Sequence, residues 1–422
     1  MKKFFLALLF LFVACSSEIP EELVETLTQE PPPSVIVEPP VLEVLEPEPE
    51  PESVFGVIFP NVVPQSRMND IVEELYRQWK TRYFRANPFD ENQAYVHWDG
   101  DEGITVSEAH GWGMLIFALM SEVDSFAQED FDRMLRFYLA HTSYIDPRLM
   151  SWQQDFGEDS VININGNNSA TDGDLDIAYA LLLAAKLWES DEFDYFALAL
   201  DSIDATMESI INKDEWVITL GDWSRYSRDY QLQTRPSDFM LQHFTSFYYA
   251  TNDERWLTMK ESVFKAIEDL HINHAPATGL LPNFARWEDG YFVPNDESYS
   301  WDACRIPWRV AMDYIINGDE NALPMLEAVN EFIQRATDGE PENVRAGYLI
   351  ADGTPTAPWN SPAFTSPFMV SAMISPENQD WLNALWSFNA SQNTWAGRYY
   401  DNTIRVLCMI AASGNWKTPE LM

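Results

Sequence analysis

From residue 69 onward apolar residues recur at three- and four-residue steps along most of the chain, while the every-second-residue alternation of strands is scarce. The spacing predicts twelve helices, near 69–80, 107–121, 129–141, 174–190, 192–211, 237–251, 253–271, 302–316, 319–337, 364–374, 379–388 and 401–414. They tend to alternate in kind. Gly111 to Met120 and Ile177 to Leu187 are apolar on nearly every side, whereas Glu129 to His141 and Asp253 to His271 carry a charged face. A helix apolar all round must be covered all round, and an amphipathic one has a face for water. The alternation therefore predicts an all-α fold of six inner helices masked by six outer ones. Closed on itself, that is one (α/α)6 barrel over residues 55–422, with no internal sequence repeat behind it.

The segments between the helices are long at Leu149 to Asn168, Leu220 to Arg235, Ala275 to Trp301 and Asp338 to Asn360. Long loops in a compact domain usually carry function. Trp152, Trp223, Tyr226, Trp287, Tyr291, Tyr299, Trp301 and Trp359 stand on or beside them. Flat rings stack on the apolar faces of sugars, so aromatic loops over a barrel mouth suit a glycan cleft.

The first 54 residues do not belong to the barrel. Lys2 and Lys3 precede the apolar run Phe4 to Val13, and Ala14-Cys15-Ser16 follow. That is the order of an export signal, too short for a membrane-spanning helix. The apolar, small, Cys order resembles a bacterial lipoprotein cleavage site, with Cys15 as the lipidated residue of segment 1–15. Glu18 to Ser53 then hold eleven Glu, nine Pro and no Lys or Arg. Such a segment stays unfolded and extended, so 16–54 is expected to be a disordered tether. Together these predict an exported protein of the cell envelope that meets the membrane only through its lipid.

Charge narrows the partners. The chain has a formal net charge of −41, and without the leader's eleven Glu and two Lys it still has 56 acids against 24 bases. A surface so acidic is a poor partner for nucleic acid or acidic polysaccharide. A neutral polymer fits. Beyond Cys15 only Cys304 and Cys408 remain, and sequence leaves open whether they pair or stay as buried thiols.

Three helix entrances carry candidate chemistry. In Ala170-Thr171-Asp172-Gly173-Asp174-Leu175-Asp176 three acids alternate just ahead of a solid helix. Thr171 or Asp172 can cap the first turn, and acids there suit the positive end of the helix dipole. Three acids exceed what capping needs. In Ser107-Glu108-Ala109-His110-Gly111-Trp112-Gly113-Met114, Glu108 lies where loop meets helix. Apolar neighbours such as Trp112, Met114 and Leu115 would raise its pKa, as a general acid requires. In Trp301-Asp302-Ala303-Cys304-Arg305-Ile306-Pro307-Trp308-Arg309, Arg305 could keep Asp302 ionised or anchor a sugar hydroxyl. A buried structural Asp–Arg pair is the competing reading there, as a dipole-stabilised Glu is at residue 108.

Taken together in order and spacing, these segments resemble glycoside hydrolase family 8, and the Ala170 to Trp188 stretch is the most diagnostic. Arg235-Pro236-Ser237-Asp238, Thr278-Gly279-Leu280-Leu281-Pro282-Asn283, Ser361-Pro362-Ala363-Phe364 and Tyr399-Tyr400-Asp401 extend the likeness over residues 60 to 418. The resemblance implies an (α/α)6 barrel that hydrolyses β-1,4-linked polysaccharide with inversion. It makes Glu108 the acid, Asp302 the base and Asp172 the central acid gripping the sugar beside the scissile bond. Trp152 and Arg305 match substrate-contacting positions; Trp112, Trp223, Tyr226 and Trp301 join them as expected substrate contacts. Ala109, Trp112 and Trp301 depart from the residues usual at their positions, and Asn283 stands where an acid is often found.

The expectation is thus an endo-acting, monomeric β-1,4-glucanase for cellulose or mixed-linkage glucan, without cofactor or metal. A xylanase is the alternative; a chitosanase, or a glycan-binding lipoprotein without catalysis, stands further off. The Asp172 to Asp176 run departs from a calcium loop, since its Gly and distal Glu are misplaced. His271-Ile272-Asn273-His274 lacks clustered partners, and neither a phosphate loop nor a nucleophile elbow is present.

Overall fold

A computed structural model describes residues 55–100 and 102–420. The expected leader and tether, with Cys15, lie outside them. Among the described residues twelve α-helices follow one another: α1 (Gln65–Tyr83), α2 (Ser107–Leu119), α3 (Ala127–Ala140), α4 (Thr171–Leu187), α5 (Tyr195–Ala205) and α6 (Leu241–Thr251). The second half supplies α7 (Arg255–His274), α8 (Ile306–Asn317), α9 (Leu323–Thr337), α10 (Pro362–Ala372), α11 (Gln379–Ser391) and α12 (Tyr399–Ala412). The even-numbered helices touch in sequence, α2 to α4 and onward to α12, and α12 closes on α2. Each odd-numbered helix packs outside an even one, α1 on α12, α3 on α2, α5 on α4, α7 on α6, α9 on α8 and α11 on α10. This is the two-layered barrel.

Burial follows the residue pattern. Every residue of α2 except Glu108 is buried, and α4 is buried from Thr171 through Ala184. In α3, by contrast, Ala127, Phe131, Met134, Leu135 and Tyr138 face inward while Glu129 is exposed. The tightest approach is α2 on α4. A Cβ at Gly111 would lie 2.9 Å from Asp176 Cβ, and one at Gly173 would lie 2.5 Å from Ser107. These two glycines let the first turns of both helices meet, which carries Glu108 and Asp172 to one place.

Several boundaries differ from the expected ones. The segment 237–251 is helical only from Leu241, because Pro236–Asp238 form a 3-10 turn, and Ala303–Arg305 likewise precede α8. Asp302 therefore stands before its helix rather than in it. The 192–211 segment ends its α-helix at Ala205 and continues as a π turn, Thr206–Ile210. Short antiparallel pairs also stiffen the loops, among them Phe84–Asn87 with Asp90–Val96 and Ala285–Glu288 with Tyr291–Pro294. The second turns through Asp289 (φ +49°) and Gly290 (φ +94°). Positive φ at both central residues is what Asp-Gly supplies in tight hairpins, here inside a stretch the sequence analysis treats only as a long loop. Cys304 and Cys408 are both buried free thiols. No helix among the described residues is long and apolar enough to cross a membrane.

Candidate active site

The charged residues gather at the N-terminal ends of the inner helices. Glu108 and Asp172 are the second residues of α2 and α4. Arg235 leads into the turn before α6, Asp302 and Arg305 lie at the turn before α8, and Tyr400 is the second residue of α12. Helix N-termini present positive dipole ends and favour carboxylates. Neither expected cap of α4 forms. Ala170 precedes the helix without a side-chain cap, Thr171 Oγ1 donates to the Thr219 carbonyl at 2.6 Å, and Asp172 accepts from its neighbour Gly173 N at 2.9 Å.

Two guanidinium groups organise the site. Arg305, 1% exposed, donates from Nη1 to Glu108 Oε2 at 2.5 Å and to Asp172 Oδ2 at 2.9 Å, and from Nη2 to Ser237 Oγ at 2.9 Å. Its Nη2 is 3.7 Å from Asp302 Oδ1. Arg235 reaches Asp172 Oδ2 at 3.0 Å, Asp238 Oδ1 at 3.2 Å and Asp302 Oδ1 at 3.5 Å. Glu108 and Asp302 thus sit on different nitrogens of one guanidinium. Its width plus the two contact distances keeps them within the upper limit of about 9.5 Å for an inverting carboxylate pair.

Their environments diverge. Burial pushes the Glu108 carboxyl up to about 8 against the pull of Arg305, and the neighbouring Asp172 charge adds to the rise. Asp172 is buried too, but Arg235 and Arg305 together overcome that cost and hold it below the usual carboxylate range. Asp302 is the open member, its side chain 36% exposed.

The other two acids of the Asp172–Asp176 run do different work. Asp174 Oδ1 accepts from Met150 N at 3.0 Å, and burial pushes its carboxyl well up. Asp176, fully buried, is bonded by Arg309 Nη1 at 2.9 Å and His243 Nε2 at 3.0 Å, joining α4 to α8 and α6 under the site. The three carboxylates face three sets of partners, so they do not converge on one point.

A cleft of about 440 Å³ opens beside this centre, lined by Trp152, Trp223, Arg235, Phe284, Asn165 and Asn168 among others. Trp152 Nε1 donates to the Asn165 carbonyl at 2.6 Å. Trp301, 42% exposed, stands with Phe364 and Tyr400, ring centroids 5.2 and 6.1 Å away. Tyr226 is 71% exposed beneath Arg225 and is not among the cleft's lining residues. Trp112 corrects the sequence expectation: it is fully buried, stacked against Tyr399 and under the Arg305 guanidinium at 5.9 Å. It lies one turn inside α2 from Glu108, below the mouth, where it supports Arg305 rather than meeting a ligand. Arg305 itself is engaged with the carboxylates of Glu108 and Asp172, the Ser237 hydroxyl and the Asp302 carbonyl. Arg235, Ser237, Phe284 and Tyr400 were not singled out as site residues, since only the fold brings their loops to the same mouth.

The sequence model of Glycosyl hydrolases family 8 matches residues 63–414. The chain belongs to that family, whose members are inverting glycosidases. It is 40% identical over 373 residues to the beta-glucanase of Niallia circulans, covering 86% of this chain and 89% of that one. The endoglucanase of Bacillus sp. strain KSM-330 is 30% identical over 396 residues, 90% of this chain and 83% of its own. Among solved structures, the β-1,3-1,4-glucanase of Paenibacillus sp. X4 superposes with a TM-score of 0.82 at 40% identity, over 86% of this chain and 96% of that one. A cold-adapted family 8 xylanase shares the fold at a TM-score of 0.68 and 19% identity, over 84% and 92% of the two chains.

Proposed function

We propose that this family 8 hydrolase cuts internal β-1,4 bonds of a glucan, cellulose-like or mixed β-1,3-1,4-linked. Glu108 protonates the leaving glycosidic oxygen. Asp302 takes a proton from the water that attacks the anomeric carbon from the opposite face, and the C–O bond breaks with inversion. The cycle leaves Glu108 charged and Asp302 neutral, and solvent exchange resets both. Asp172, kept ionised by two arginines, grips the distorted sugar at the scissile bond. The observation that carries this reading is the split between Glu108, mostly buried and raised to about 8, and Asp302, more open to solvent at the other side of the same guanidinium. One is suited to hold a proton at neutral pH and the other to meet water.

The names of the relatives support glucan over xylan or chitosan, and Trp152 with Trp223 supplies stacking faces in the cleft. The test is reducing-sugar release from carboxymethylcellulose, mixed-linkage glucan, xylan and chitosan side by side, with proton NMR of the first product anomer. Glucan cleavage with release of the α-anomer is expected. Activity confined to xylan or chitosan, or a β-anomer, overturns it.

The apolar–small–Cys order before Ser16 supports export and lipidation at Cys15, with residues 16–54 spacing the barrel from the membrane. Labelled fatty acid incorporated into the native protein and lost in Cys15→Ala is the expected result; equal labelling in both refutes it.

A further inference from the structure

Asp302 is loosely held by its own side chain. Its carboxylate contacts are the long ones to Arg235 at 3.5 Å and Arg305 at 3.7 Å, whereas Asp172 is gripped at 2.9 and 3.0 Å. A base that must stay open to water cannot be tied down through its oxygens, so its position is decided by its backbone. Tyr400's hydroxyl donates to the Trp301 carbonyl at 2.5 Å and Arg305 Nε to the Asp302 carbonyl at 3.3 Å, and the peptide N–H groups on either side are held by Asn283. The N–H groups of Ser300 and Ala303, on either side of Trp301 and Asp302, both donate to Asn283 Oδ1 at 3.1 Å. Asn283's own N–H donates to the Ser298 carbonyl at 2.9 Å, so one residue holds three points of segment 298–303. Two converging donors also fix which way the amide faces, since only its oxygen can accept them. The next residue, Phe284, lines the cleft.

We infer that Asn283 is a positioning residue for the base, acting through the two peptide N–H groups that flank Asp302 and tying the base to the cleft wall. This rests on the reading of Asp302 as the base. The neutral amide matters as well. A carboxylate at 283 would keep both hydrogen bonds but add a negative charge next to Asp302. Other charged or titratable groups facing Asp302 are Arg235, Arg305, Glu108 and Asp172, with Asp296, Cys304 and Tyr400 from its neighbouring elements. A further negative charge among these favours the protonated base and moves the acid limb upward.

The experiment compares Asn283→Ala and Asn283→Asp in the whole barrel by kcat, KM and pH profile, with Asp302→Asn alongside. Asn283→Ala is expected to lower kcat about 10- to 100-fold, the loss typical of an ångström-scale misplacement, with KM within about twofold. Asn283→Asp is expected to regain most of kcat on the alkaline plateau while its acid limb rises by on the order of one pH unit. Wild-type kcat in Asn283→Ala, or equal losses in both variants with an unmoved limb, overturns the inference. If Asn283→Ala does not fold, the limb of Asn283→Asp decides alone: a shift supports the inference and an unmoved limb ends it. Full activity in Asp302→Asn would instead remove the base assignment itself.

Discussion

Arg305 Nη1 lies 2.5 Å from Glu108 Oε2, and the same nitrogen donates to Asp172 at 2.9 Å. One cation shared between two acids largely shielded from water cannot neutralise both. Asp172 has a second partner in Arg235 and stays ionised, while Glu108 has half a partner and is driven toward its neutral form. With Oε2 facing Arg305, the proton of neutral Glu108 belongs on Oε1, the oxygen free to deliver it.

Glu108→Gln should keep the fold and lose about 10²–10⁴-fold in kcat, the usual worth of a general acid. Steady-state hydrolysis of mixed-linkage glucan, with circular dichroism as the folding control, checks this. Wild-type turnover in the variant would remove Glu108 from the chemistry.

The wild-type rate should fall as pH rises through about 8, because only protonated Glu108 can serve the leaving oxygen. The pH profile of kcat/KM reads the free enzyme directly. An alkaline limb well below 7 contradicts the environment described for Glu108.

Stability should carry the same signature. A carboxyl raised from 4.5 to about 8 stabilises the fold below its unfolded value and loses that contribution as pH rises through the folded one. Asp238, raised from 3.8 to about 7 by burial, has the same sign. Relative to wild type, Glu108→Gln should therefore gain melting temperature between pH 4.5 and 8. A difference that stays constant over that window would contradict it.

Asp176→Asn should act on stability more than on chemistry, since Asp176 pairs with Arg309 and His243 below the site. Breaking a buried pair leaves an uncompensated charge and costs about 3–5 kcal/mol. Asp172→Asn should lose most of kcat at a smaller cost to the fold, because its two arginines keep Asp238, Asp302 and Glu108 as counter-charges. Denaturant midpoints set beside kcat for the two variants separate the roles.

The tryptophans should divide in the same way. Trp152→Ala and Trp223→Ala remove open stacking faces, and losses of about 0.5–1.5 kcal/mol in binding are expected, read as KM. Trp112→Ala empties a buried volume and should cost about 3–5 kcal/mol of stability. A raised KM in Trp112→Ala at unchanged melting temperature would restore it as a ligand contact.

All twelve helices and their two-layer order were legible, because apolar spacing reports burial and a helix buried all round needs a masking partner. Glu108, Asp172 and Asp302 stood out because each is an acid at a helix entrance, and the family resemblance joined them. The loop hairpins passed unseen, since a few extended residues carry too short a period. Trp112 was placed wrongly because aromatic character says nothing about which side of a helix meets the mouth. Arg235 and Asn283 went unassigned as site residues, since each acts on groups tens of residues away.

What the chain alone determined is therefore the list of elements, the layers and the type of chemistry, all properties of local spacing and side-chain type. The closure of α12 on α2, the gathering of helix entrances at one mouth and the sharing of Arg305 between two acids needed the tertiary structure. The physical reason is that a carboxylate's proton affinity is set by burial and by charges distant in sequence. Glu108 and Asp172 hold the same place in their helices, and only their neighbours across the barrel make one an acid and the other an anion.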